Sequence, residues 1–271
     1  MVFSLSLYAS TETEDKFCGR KSKDIVEYLS ISANRMAFRN AGGLFNGGVC
    51  WWHSRLQRSS AYLVKFAPEK ARLNSYQTTL VLRALRDMNR VVEIPGFANF
   101  YDFTKANQEQ IQSFLNDWQK FDGFFNMQWV RGISGSSKLS SAQMEAQMKK
   151  VYDFYKTSPL PVWIMAQIKG VTSHSFLVVN MVSLPRGYDF TVIDSNSPLK
   201  TYTLHYQFGD EAISHTSFKY TFVPYVGFQK DYESIGSALK AHCQTKTMDE
   251  MDHVPAGDIE LSGNTGPQDE E

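Results

Sequence analysis

Apolar residues recur at helical spacing through the first half of the chain and give way to β-rich runs in the second. The pattern predicts helices over about 22–38, 50–66, 75–89, 107–120 and 141–155. Asn40-Ala41-Gly42-Gly43, Pro68 and Pro95-Gly96 supply the stops between them. Beyond Pro159 the runs 161–168, 176–182, 188–193, 201–206 and 218–225 are rich in aromatic and β-branched residues, the composition of strands. A helical N-terminal half followed by an antiparallel β-sheet C-terminal half is an α+β protein. The expected organisation is an N-terminal extension over 1–21, one two-lobed domain over 22–244, and an acidic disordered tail over 245–271. Within the domain, a helical lobe covers about 22–157 and a β lobe about 158–228. Arg131 to Lys138, rich in glycine and serine, reads as a loop joining helices.

Within that pattern Asn46-Gly47-Gly48-Val49-Cys50-Trp51-Trp52-His53 delivers a cysteine into the first turn of the second helix. Only a thiolate is a nucleophile, and the unpaired N–H groups and dipole of a helix start favour the anion. Trp52, Leu56, Leu63 and Phe66 are spaced as an apolar face, so a buried helix with the thiol at its exposed tip is expected. Trp51 and Trp52 read as packing residues. A free cysteine is ordinarily a small buried hydrophobe, and it needs a spatial partner to act.

The partner candidate is His174, which opens the first of two consecutive strands. If those strands form a hairpin centred near position 184, His174 lies directly opposite Asp194, with Cβ atoms about 5 Å apart. A register moved by two would bring Asn196 into that role instead. Taken singly, His174 and the turn-forming Asp194-Ser195-Asn196-Ser197-Pro198 have ordinary structural readings. Together with Cys50 they form a nucleophile, a base and a group that orients the base.

Gly48-Val49-Cys50-Trp51-Trp52, Ser173-His174-Ser175-Phe176 and Val192-Ile193-Asp194-Ser195-Asn196 resemble the three active-site segments of papain-like cysteine peptidases, in that family's chain order. An aspartate as third member is similar to the Cys-His-Asp bacterial effector and toxin branches. The resemblance implies a papain-like two-lobed fold, a thiol-dependent amide hydrolase acting on protein or peptide, and Cys50, His174 and Asp194 as its catalytic triad. One position departs from the family. The oxyanion-hole glutamine expected six residues before the cysteine is Leu44 here, and Asn46 is the nearest side-chain amide. Asn46 and the Cys50 backbone N–H are therefore the candidate oxyanion donors. Deamidation or transamidation of a protein glutamine uses the same thiol and base, so the motifs leave it as an alternative. A catalytically silent binding or interaction module on the same fold is the non-enzymatic alternative.

Composition adds exclusions. The chain has 271 residues, 42% of them hydrophobic, enough for a substantial core. No run approaches the about 18 continuous apolar residues of an integral membrane segment. The formal net charge of zero hides an asymmetry: residues 245–271 hold one basic and eight acidic residues, leaving the body at +7. Without a clustered basic run or a reading motif, no nucleic-acid partner is expected. No phosphate-cradling loop or dinucleotide fingerprint is present, so no cofactor is expected. Cys50 and His53 share a helix face, yet no nearby Cys or His completes a metal site. His205, His215, His242 and His253 read as structural or surface residues. The first residues lack the basic region of a signal peptide. Cys18 and Cys243 are available to pair, which would leave Cys50 free, but nothing in the sequence shows that they meet. A soluble protein is expected, secreted or periplasmic ahead of cytoplasmic, and the oligomeric state is left open.

Overall fold

The computed structural model describes residues 12–43, 47–126, 138–157, 162–169, 172–215, 218–223 and 228–251. Helices α1 (Glu14–Cys18), α2 (Ser22–Ser30) and α3 (Cys50–Leu63) lead into strand β1 (Val64–Ala67). After α4 (Ser75–Asp87), strand β2 (Val92–Pro95) pairs with β1 in parallel; α5 (Phe100–Ala106), α6 (Gln108–Asn126) and α7 (Ser141–Thr157) follow. Strands β3 (Val162–Lys169), β4 (Thr172–Leu184), β5 (Gly187–Asp194), β6 (Thr201–Gln207), β7 (Ile213–His215) and β8 (Phe218–Val223) then form a closed antiparallel barrel in sequence order. Helix α8 (Phe228–Met251) returns to the helical region. The protein is α+β, with its helical region first and its antiparallel sheet in the C-terminal half.

Several boundaries differ from the sequence expectation, for identifiable reasons. The helix expected over 22–38 stops at Ser30, followed by a 3-10 turn at Ser32–Asn34. Asn34 and Arg35 fold back and donate to the carbonyls of Tyr28 and Leu29, taking the acceptors that a continuing helix would use. The helix expected to reach residue 66 ends at Leu63, because Val64 to Ala67 find backbone partners in β2. Residues 12–21, assigned to an extension, are packed: Phe17 is buried and Cys18 is disulfide-bonded to Cys243 on α8. Helix α8 also continues as far as Met251, into the segment expected to be a disordered tail; residues 252–271 lie outside those described.

Two apolar clusters organise the core. The larger joins Leu56 and Leu63 of α3 with Leu82, Phe103, Leu115 and Ile235 and reaches the sheet at Leu177, Val179 and Ile193. The second fills the barrel with Phe176, Val178, Phe190, Val192 and Leu204, against which α7 packs Met144, Met148 and Val151. Helix α7 falls in the stretch expected to belong to the helical lobe, but its apolar face joins the barrel. Leu177 and Phe176 point to opposite faces, as the period of a strand requires, so β4 is shared between the two cores.

Candidate active site

Helix α3 carries Cys50 at its first position and is buried on its polar side as well as its apolar one. Gln57 accepts from the Met36 N–H at 2.6 Å and donates to the Asn34 carbonyl at 3.1 Å. Arg58, fully buried, pairs with Asp231 of α8; Arg55 donates to Asp231 at 3.0 Å and to Asp122 at 3.3 Å. Trp52 donates to the same Asp122 oxygen at 2.9 Å, and its ring packs against the helical core. These partners immobilise the helix beneath the thiol. The thiol is not at an exposed tip: Cys50 is 9% exposed, and it is the free cysteine of the chain.

His174 and Asp194 come together by a route different from the one the sequence suggested. The hairpin turns tightly at Pro185-Arg186, with Leu184 opposite Gly187, rather than around a centre near 184. Continued at that register, Asp194 would face Leu177, and His174 would project to the opposite side of the sheet. A bulge between Val178 and Asn180 adds one residue to β4 and resets the register, so that Phe176 faces Asp194. His174, two residues before Phe176, then shares a face with Asp194 as its diagonal neighbour, within reach of an imidazole. The direct opposition of His174 and Asp194 is thus overturned, for His174 faces Ala166 on β3. Their contact is nonetheless made: His174 Nε2 lies 2.5 Å from Asp194 Oδ1. Asn196 does not displace Asp194; its backbone N–H donates to the same oxygen at 2.8 Å.

Cys50 and His174 are hydrogen-bonded through their side chains. With Nε2 on the carboxylate, Nδ1 is the ring nitrogen left for the thiol. Burial by itself would lower the pKa of His174, but hydrogen bonds to Asp194 and Cys50, reinforced by their charges, raise it to about 10. Burial would raise that of Asp194, and the His174 contact outweighs it, so the carboxyl is held below its ordinary range. Low exposure, 6% at His174, strengthens these contacts by excluding water. Phe176 meets the imidazole edge-on at 4.9 Å between centroids.

His53, one turn along α3, behaves oppositely. It is 1% exposed, and burial lowers its pKa to about 4. Its Nε2–H donates to the Phe38 carbonyl at 2.9 Å. Glu14, Cys18 and His242 also approach one another, but the Cys18 sulfur is spent in the disulfide. His205 pairs with Asp189 at the surface.

Asn46, the proposed side-chain oxyanion donor, and Leu44 lie outside the described residues, as do residues 131–137 of the expected loop. Sequence reading passed over Asn40 and a row of amides on α6. Gln112 donates to the Ala41 carbonyl, Asn116 accepts from the Gly43 N–H, and Gln119 donates to the Gly48 carbonyl, at 2.9, 3.0 and 2.9 Å. Their spacing along one helix face was a visible signal, but the segment it holds was not. No helix among the described residues is long and apolar enough to cross a membrane. Comparison with family models, curated proteins and solved structures finds no match to the chain.

Proposed function

We propose that the protein is a papain-like cysteine hydrolase, with a protein or peptide as substrate and peptide-bond cleavage as its reaction. The observation that carries the reading is the hydrogen-bonded line from Cys50 through His174 to Asp194, with the sulfur at a helix start. A cysteine serving only as core filling has no need of an imidazole oriented by a carboxylate. In the reaction, the Cys50 thiolate attacks the amide carbonyl carbon, and the oxyanion that forms is met by the Cys50 backbone N–H. The His174 imidazolium gives its proton to the leaving amine nitrogen as the carbon–nitrogen bond breaks, leaving a thioester. His174, now neutral, takes a proton from water, whose oxygen displaces the thiolate. Asp194 holds the ring by accepting from Nε2–H throughout. The Cys18–Cys243 bond supports an oxidising compartment, secreted or periplasmic, as the place of action.

The test is to incubate the wild type and Cys50→Ala with a diverse protein mixture and sequence the products by mass spectrometry. New peptide termini that appear with the wild type and not with Cys50→Ala are the expected result. Mass gains of about one unit at glutamine without new termini would reassign the thiol chemistry to deamidation. If neither change appears and Cys50 is inert to alkylation, the hydrolase reading falls.

A further inference from the structure

Asn40 touches both halves of the proposed reactive line, although it precedes Cys50 by ten residues and belongs to neither half. Its backbone N–H donates to the Ser195 carbonyl at 2.7 Å, fastening it to the turn after β5. Its Oδ1 accepts from the N–H of Val49, the residue immediately before the nucleophile. Its Nδ2 donates to Asn196 Oδ1 at 3.1 Å. The orientation of the amide is determined by chemistry, since only the oxygen can accept from Val49 and only the nitrogen can serve Asn196. Asn196 in turn gives its backbone N–H to Asp194 Oδ1, the oxygen that meets His174. A path therefore runs from the Val49 N–H, through the Asn40 side chain and across Asn196 from its amide oxygen to its backbone N–H, to the carboxylate behind the base.

The backbone around Asn40 is shaped to admit it. Gly48 has φ +86°, and a Cβ there would come within 2.4 Å of Asn40 Nδ2. Gly48 is held from its other side by the Gly42 carbonyl at 2.8 Å and by Gln119. Val49 caps α3 without a side-chain hydrogen bond of its own, so the Asn40 amide fixes the entry to the helix.

We propose that Asn40 is a positioning residue that sets the distance between Cys50 and the His174–Asp194 pair. The proposal rests on the hydrolase reading above. Sulfur and imidazole sit on different elements, α3 and β4, and a misplacement of about 1 Å between reacting groups is able to cost roughly a hundredfold in rate. Asn40 links the two, with its Oδ1 on the Val49 N–H and its backbone N–H and Nδ2 on the turn after β5.

The test uses iodoacetamide on the full, unreduced chain, where the disulfide leaves Cys50 as the thiol that reacts. Wild type is expected to alkylate rapidly at about pH 6, as a histidine-paired thiolate does. Asn40→Ala should slow that rate about tenfold or more and approach wild type at alkaline pH, where pairing is no longer needed. Asn196→Ala, at an exposed position, should fold normally and slow the reaction less; Asn196→Asp, which keeps the acceptor, should restore it. The double variant should be no slower than Asn40→Ala, because both act along one path. If Asn40→Ala does not fold, the contrast between Asn196→Ala and Asn196→Asp carries the test. Rates within about twofold of wild type at pH 6 for the folded alanine variants would overturn the clamp while leaving the hydrolase reading intact. A wild type that alkylates no faster at that pH than the denatured chain would overturn the reading itself.

Discussion

Two histidines within one site are driven in opposite directions from the same ordinary pKa of 6.5. His174 rises to about 10 because Asp194 and Cys50 outweigh its burial; burial takes His53 down to about 4, against the weaker pull of the Phe38 carbonyl and of Asp194. The consequences for stability have opposite signs. The contribution of His174 is fully present below 6.5 and is lost as pH rises through about 10, since the folded state keeps a proton that the unfolded state releases. His53 contributes stability above 6.5 that is lost as pH falls toward about 4, where the unfolded chain binds a proton and the folded one does not. Melting measured against pH should therefore decline on both sides of neutrality, and His53→Gln, which keeps a donor for Phe38, should flatten the acid side by on the order of 3 kcal/mol. An acid limb unchanged in that variant would refute the assignment. The candidate trio Cys50, His174 and Asp194 could be picked out in the sequence because a nucleophile, a base and an orienting carboxylate call for those residue types. Asn40 was not, since an asparagine before Ala-Gly-Gly reads as a turn former until its partners 155 and 156 residues away are seen.

At the scale of elements, β3, β4, β5, β6 and β8 were legible as strands, whereas the short β1, β2 and β7 were not, and neither was the register. Aromatic and β-branched composition marked β4 and β5, but a bulge leaves little trace in composition, and it is the bulge that turns His174 toward Asp194. The placement of α3 illustrates the same division. Its helical spacing was plain, whereas the burial of Arg58 depends on Asp231, 173 residues later in a helix the sequence reading did not identify. That ion pair also makes a quantitative expectation. Asp231→Ala leaves Arg58 buried without its carboxylate and should cost about 3–5 kcal/mol in urea unfolding, with Asp231→Asn costing less. A loss below about 1 kcal/mol, the level of a surface pair, would show that α8 does not secure α3.

Over the whole molecule, the change from helical to strand periodicity near residue 159 disclosed the α+β layout, because local pattern suffices for it. Barrel closure, the attachment of α7 to the barrel and the Cys18–Cys243 bond depend on contacts between distant residues, which no local window contains. The two cores meet along β4, so α3, which carries the sulfur, and β4, which carries the imidazole, are held by shared packing as well as by hydrogen bonds. The central claim is that this assembly makes Cys50 a nucleophile paired with His174. Its most direct test is the rate of Cys50 alkylation by iodoacetamide from mildly acid to alkaline pH, in wild type and in His174→Ala. Wild type should react rapidly at about pH 6, while the variant should require alkaline pH, as an unassisted thiol does. Superimposable profiles for the two proteins would contradict the claim.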